Sequence, residues 1–112
     1  METARAVRRV GSDRNGGAFD DATIQSVWNR ASIITGRDPR YYRMDVCGAI
    51  IERFAHGTTN ENGTGWEIDH IVPVSRGGND ALSNLQPLQW QNNRAKGDSY
   101  PSSGFCVVVA RR

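Results

Sequence analysis

The sequence predicts an α+β fold: one small domain in which a β-hairpin and a following helix form the core and a further helix is added on the N-terminal side. Three observations carry this expectation. Ile24, Val27, Trp28 and Ala31 recur at the spacing of one helical stripe. Two runs, 46–54 and 66–72, are rich in β-branched and aromatic residues. Between them lie Thr58, Thr59, Asn60, Asn62, Gly63 and Gly65, residue types that reverse a chain. The 112 residues suit one domain and leave no room for a second core.

Residues 1–19 read as a flexible basic tail, because Gly11, Gly16 and Gly17 interrupt them and no apolar period is sustained. Arg5, Arg8, Arg9 and Arg14 fall there; a solvated terminus is the plainer reading, phosphate contact the sharper one. The folded domain is expected over 20–112. Its first helix starts where Asp20 or Asp21 accepts from free backbone amides, and it should stop near Gly36, with Pro39 confirming the break. The two β-prone runs then pair as a hairpin with a longish loop, and His56 reads as a loop residue beside it. Gly77 and Gly78 make 75–80 a loop. Pro87 suits the first turn of a second helix, which would carry Gln89, Asn93 and Lys96 on one face and end at Gly97. Residues 105–109 are expected to close the core as a short strand or packing segment.

Net charge is +2, which permits an anionic partner without demanding one. Two cysteines, Cys47 and Cys106, are too few for a disulfide scaffold or a four-thiolate zinc site, and they read as buried thiols. No apolar run approaches membrane-span length, and the first residues lack the apolar core of a signal peptide. The expectation is a cytoplasmic, reducing setting with no membrane partner.

Chemistry concentrates in one region. Asp69 and His70 are adjacent; His70 lies fourteen positions before Asn84, and Asn84 nine before Asn93. Cleaving a phosphodiester requires a nucleophilic water, a group that takes its proton, and positive charge at the leaving oxygen. One hard divalent ion meets the last need with oxygen ligands: here the Asp69 carboxylate and the Asn93 amide oxygen. His70 is then free to act as base, and Asn84 to hold the loop or the imidazole in one orientation. Strict alternation, however, puts Asp69 and His70 on opposite faces of a strand. Either the ion sits beyond the strand end or the strand bulges near Asp69.

These residues resemble the HNH endonuclease family, whose site is a β-hairpin and helix around one metal, the ββα-metal motif. The similarity runs through Trp66-Glu67-Ile68-Asp69-His70-Ile71-Val72-Pro73, Gly77-Gly78, Asn84-Leu85-Gln86-Pro87-Leu88 and Asn93-Arg94-Ala95-Lys96-Gly97-Asp98, a motif core of 66–98. The resemblance implies that His70 is the general base, that Asp69 and Asn93 are metal ligands, and that Asn84 is the central structural Asn. Asn93 stands where the third namesake is often His, a His-Asn-Asn variant that favours Mg²⁺ or Mn²⁺. Many relatives carry two Cys pairs for structural zinc; here Gln91 and Asn92 stand where a Cys would be expected, and Trp66, Ile68, Leu85, Leu88 and Trp90 are expected to supply the packing instead.

Alone, His70 would read as a structural histidine; its spaced partners make it catalytic. Lys96, Arg94 and Arg76 are solvated charges by default and candidate phosphate contacts within the motif. The function expected is a Mg²⁺- or Mn²⁺-dependent endonuclease that nicks double-stranded DNA as a monomer with low sequence specificity. A non-catalytic DNA-binding module on the same scaffold, or a nuclease acting on RNA or as a toxin, are the alternatives.

Overall fold

A computed structural model describes residues 10–110. The first helix, α1 (Asp21–Trp28), is capped by Asp20, whose side chain accepts from the Thr23 amide at 2.8 Å. It ends at Trp28 rather than near Gly36. Arg43 reaches up from the next hairpin and donates to the carbonyls of Asn29 and Ala31, satisfying backbone that another helical turn would have occupied.

Three short strands follow, β1 (Ser32–Ile33), β2 (Tyr42–Met44) and β3 (Ile50–Glu52), in one antiparallel sheet of order β1-β2-β3. The 46–54 run is therefore a strand only at its centre, and it pairs with β2 instead of the 66–72 run. Asp45 causes this: its carboxylate accepts the amides of Cys47 and Ala49, turning the chain where a longer strand was expected. A single 3₁₀ turn, Arg53–Ala55, leads out of β3.

The second sheet is a two-stranded ribbon of β4 (Trp66–His70) and β5 (Leu85–Gln89), followed directly by α2 (Trp90–Lys96). Pro87 lies in β5 opposite Ile68, not in the first turn of a helix. The ladder explains its tolerance. Ile71 donates to Asn84 and Trp90 to Gly65, so the hydrogen-bonded pairs fall on the odd positions of β4 and Pro87 needs no amide proton. Gln89 then caps α2, its side chain accepting from the amides of Gln91 and Asn92. The register is constant from Trp66↔Gln89 to His70↔Leu85, so β4 carries no bulge and stops at His70.

One core joins these parts. Val27, Trp28 and Ala31 of the α1 region pack on Ile51, Trp66, Ile68 and Leu85, with the indoles of Trp28 and Trp66 5.4 Å apart. Burying four or five such side chains, each worth roughly 1.5–3 kcal/mol, fixes both sheets against one helix.

The cysteines correct an expectation. Cys47 and Cys106 form a disulfide across 59 positions, with Cα atoms 5.4 Å apart. Distance along the chain concealed their meeting, so they are not the buried free thiols expected. The bond also fixes the C-terminal segment, which contains no strand; Val107 and Val109 are exposed, so 105–109 does not close the core. Arg5, Arg8 and Arg9 lie outside the described residues. Residues 10–19 hold turns built on Asp13, and the Arg14 amide donates to the Asp80 carboxylate. Among the described residues no helix is long and apolar enough to cross a membrane.

Candidate functional site

All five residues of β4 are buried, the charged ones included. Burial of Glu67 and Asp69 would be prohibitive without partners, and α2 supplies them. Arg94 pairs with Glu67 at 2.8 Å, and the Lys96 ammonium lies 3.1 Å from Asp69 Oδ1 and 3.0 Å from the His70 carbonyl oxygen. The spacing follows from geometry, since alternate residues of β4 face one side while the last turn of α2 lies across it.

Asn93 sits in the same seam. Its Nδ2 donates to Glu67 Oε1 at 2.9 Å, which fixes the amide and leaves Oδ1 as the acceptor. Asp69 accepts from Gln86 Nε2 at Oδ2, 3.0 Å away, and from Lys96 at Oδ1. Burial nevertheless pushes the Asp69 carboxyl above its usual range, with Gln86, Lys96 and His70 opposing that shift. Further positive charge beside Asp69 would relieve the penalty.

His70 ends β4. Its Nε2 is 2.7 Å from Asp80 Oδ1, and its ring lies 6.0 Å from that of Phe19. Asp80 is held in turn by the Arg14 amide, which bonds both carboxylate oxygens. Asn84 does not touch the imidazole. It clamps the intervening loop: Oδ1 accepts the Val72 amide at 2.8 Å, and Nδ2 donates to the carbonyls of Val72 and Asn79. Gly78 belongs to this clamp, because a Cβ there would fall 1.7 Å from the Val72 carbonyl oxygen.

Ile68, Asp69, His70, Asn93, Arg94 and Asp98 line one cavity of about 340 Å³, with Val10 and Gly11 at its rim. The structure thus brings together Asp69, His70, Asn93 and Arg94. It places the other expected site residues differently. Asn84 supports the loop, and Arg76 donates to the Tyr100 carbonyl outside this cavity. Lys96, expected at a phosphate, is buried beneath Asp69, because two charges sealed in one seam are best satisfied by each other. His56, expected as a loop residue, lies beside Trp66, ring centroids 4.9 Å apart, and burial lowers its pKa.

Sequence reasoning missed Asp80, Glu67 and Gln86. Glu67 carried a signal, since it shares the Asp69 face of β4. Gln86 becomes visible only once β5 is a strand opposite Asp69. Asp80 had none, because its approach to His70 depends on the loop returning over the strand end.

Among the described residues no three His, Cys, Asp or Glu side chains form a metal cage. The donors present, one carboxylate and one free amide oxygen at a cavity wall, fit a hard ion that keeps most of its waters. A family model described as HNH endonuclease matches residues 59–102, which include Asp69, His70, Asn84 and Asn93. No curated protein and no solved structure matches the chain. Over this segment the chain is similar to the HNH endonuclease family, which supports the resemblance carried by its Asp-His and Asn motifs.

Proposed function

We propose that the protein is a divalent-metal-dependent endonuclease that hydrolyses phosphodiester bonds of double-stranded DNA, one strand at a time, with β4, β5 and α2 as its ββα-metal core. The observation that supports this most is the shared cavity: a carboxylate, an imidazole and a pinned amide from two elements face one space. In this reading Asp69 and Asn93 hold the ion. Mg²⁺ or Mn²⁺ suits their oxygen donors better than a softer metal. The chemistry that a bound ion supplies is positive charge on the phosphate and the leaving oxygen.

His70 takes the proton of the attacking water. With Nε2–H donated to Asp80, the ring presents Nδ1 as its basic atom, in the tautomer that general-base work needs. Asp80 orients the ring and Asn84 fixes the loop between them, so neither touches substrate. Arg94, at the cavity wall and half exposed, is the side chain placed to meet phosphate. One such site attacks one bond at a time.

The test is supercoiled plasmid incubated with Mg²⁺, Mn²⁺ or EDTA. Open circles should precede linear molecules when metal is present, and nothing should be cut in chelator. Full activity in EDTA sinks the metal assignment; linear product without an open-circle intermediate sinks the single-site reading.

A further inference from the structure

A second surface lies at the opposite end of β4 from His70. Phe54, in the 3₁₀ turn after β3, is 75% exposed, and Tyr41, just before β2, is 44% exposed. Their ring centroids are 6.5 Å apart. The Arg53 guanidinium lies 5.1 Å from the Phe54 ring and that of Arg40 lies 5.4 Å from the Tyr41 ring. The backbone links the pair, because the Arg53 amide donates to the Tyr41 carbonyl at 2.9 Å. Arg53 is oriented by Gln25 of α1 through its Nε.

Charge on this surface is positive. Asp38 is the carboxylate that pairs with Arg40, and Arg53 and Arg43 bond to neutral oxygens alone among the described residues. Two solvent-facing aromatic rings, each with a guanidinium on one side, make a poor protein core and a good platform for flat, unpaired bases carried on an anionic strand. A blunt duplex keeps its bases stacked on one another and offers such rings no face.

The surface also connects with the cavity at His70. His56, two residues after Phe54, packs on Trp66, where β4 begins. It lines a groove with Gly57, Glu67 and Arg94, and that groove shares Val10, Gly11 and Arg94 with the cavity. Four strand steps from Trp66 to His70, plus the 3₁₀ turn, put Phe54 on the order of 15–20 Å from His70. That is about five nucleotides along a strand.

We infer that Phe54 and Tyr41, flanked by Arg53 and Arg40, form a stacking site for unpaired nucleotides adjoining the duplex that is cut, as at a gap or a single-stranded overhang. The partner is single-stranded nucleic acid, and its identity as part of the substrate rests on the nuclease reading above.

The experiment measures binding of the full chain to fluorescein-labelled oligothymidylate and to a blunt duplex of equal length, in EDTA so that nothing is cleaved. Wild type should bind the oligothymidylate. Phe54→Ala and Tyr41→Ala should each weaken that binding by about 5- to 100-fold, the worth of one stacked base, while duplex binding changes less than about twofold. Phe54 is too exposed for its removal to unfold the protein, so Phe54→Ala decides the matter if Tyr41→Ala is unstable. Unchanged oligothymidylate affinity in Phe54→Ala overturns the inference, as does an equal loss on the duplex or no binding by wild type. Plasmid nicking, run in parallel with Mg²⁺, separates the two readings. A protein that binds oligothymidylate through Phe54 yet cuts nothing keeps this inference and loses the nuclease.

Discussion

His70 Nε2 lies 2.7 Å from Asp80 Oδ1, and Asp80 is itself fixed by the Arg14 amide. The imidazole is almost wholly buried while the carboxylate is about one-third exposed, so the contact works by setting direction more than by energy. Asp80→Asn keeps the shape of the loop but can donate to the ring and stabilise the other tautomer. Single-turnover nicking at saturating metal should fall by about 10²-fold or more, with the thermal midpoint little changed. The nitrogen shifts of His70 in an NMR spectrum should show the tautomer change directly. Wild-type rates with an altered tautomer would remove Asp80 from the mechanism.

The proposed mechanism gives the neighbours His70 and Asp69 separate duties, and their variants should then differ in kind. His70→Ala should slow cleavage by roughly 10²- to 10⁴-fold and leave metal affinity near that of wild type. Asp69→Asn should instead weaken Mn²⁺ binding, read by calorimetry without substrate. Should His70→Ala abolish Mn²⁺ binding and Asp69→Asn leave it intact, the two roles are reversed.

Lys96 and Asp69 form an ion pair in which both side chains are nearly inaccessible to water. Removing one partner strands the other, so Lys96→Met should destabilise the fold by about 3–5 kcal/mol in urea unfolding. Adding Asp69→Asn to that variant should recover part of the loss, because an amide is cheaper to bury than an unpaired carboxylate. Strict additivity of the two changes would show that the pair does not interact.

The Cys47–Cys106 disulfide closes a long loop that contains β3, the β4–β5 ribbon and α2. Beside it, Asn92 donates to Asp45 at 3.0 Å and bonds the Val108 backbone in both directions, so the C-terminal segment, the Asp45 turn and the start of α2 form one unit. Cys47→Ser with Cys106→Ser, or addition of dithiothreitol, should lower unfolding stability by about 2–4 kcal/mol. An unfolding midpoint indifferent to reductant would contradict the bridge.

Local chemistry alone determined a good part of this protein. Asp20 announced a helix start, and Gly77 and Gly78 announced the loop beyond β4. The spacing of Asp69, His70, Asn84 and Asn93 picked out the region that a nuclease family model also matches. Those signals are short-range: a cap needs an acceptor three residues upstream, and a motif needs its members in order. What tertiary structure decided were the choices among partners. The 66–72 run could pair with either neighbouring apolar segment, and Asp45, by turning the chain early, gave it to 85–89 and made a strand residue of Pro87. The same pairing set Gln86 opposite Asp69, and the helix that followed drew Lys96 out of solvent and beneath the carboxylate. Asp80 reached His70, and Cys47 reached Cys106, across separations at which sequence carries no distance information. Folding fixes such meetings by packing and loop closure over the whole chain.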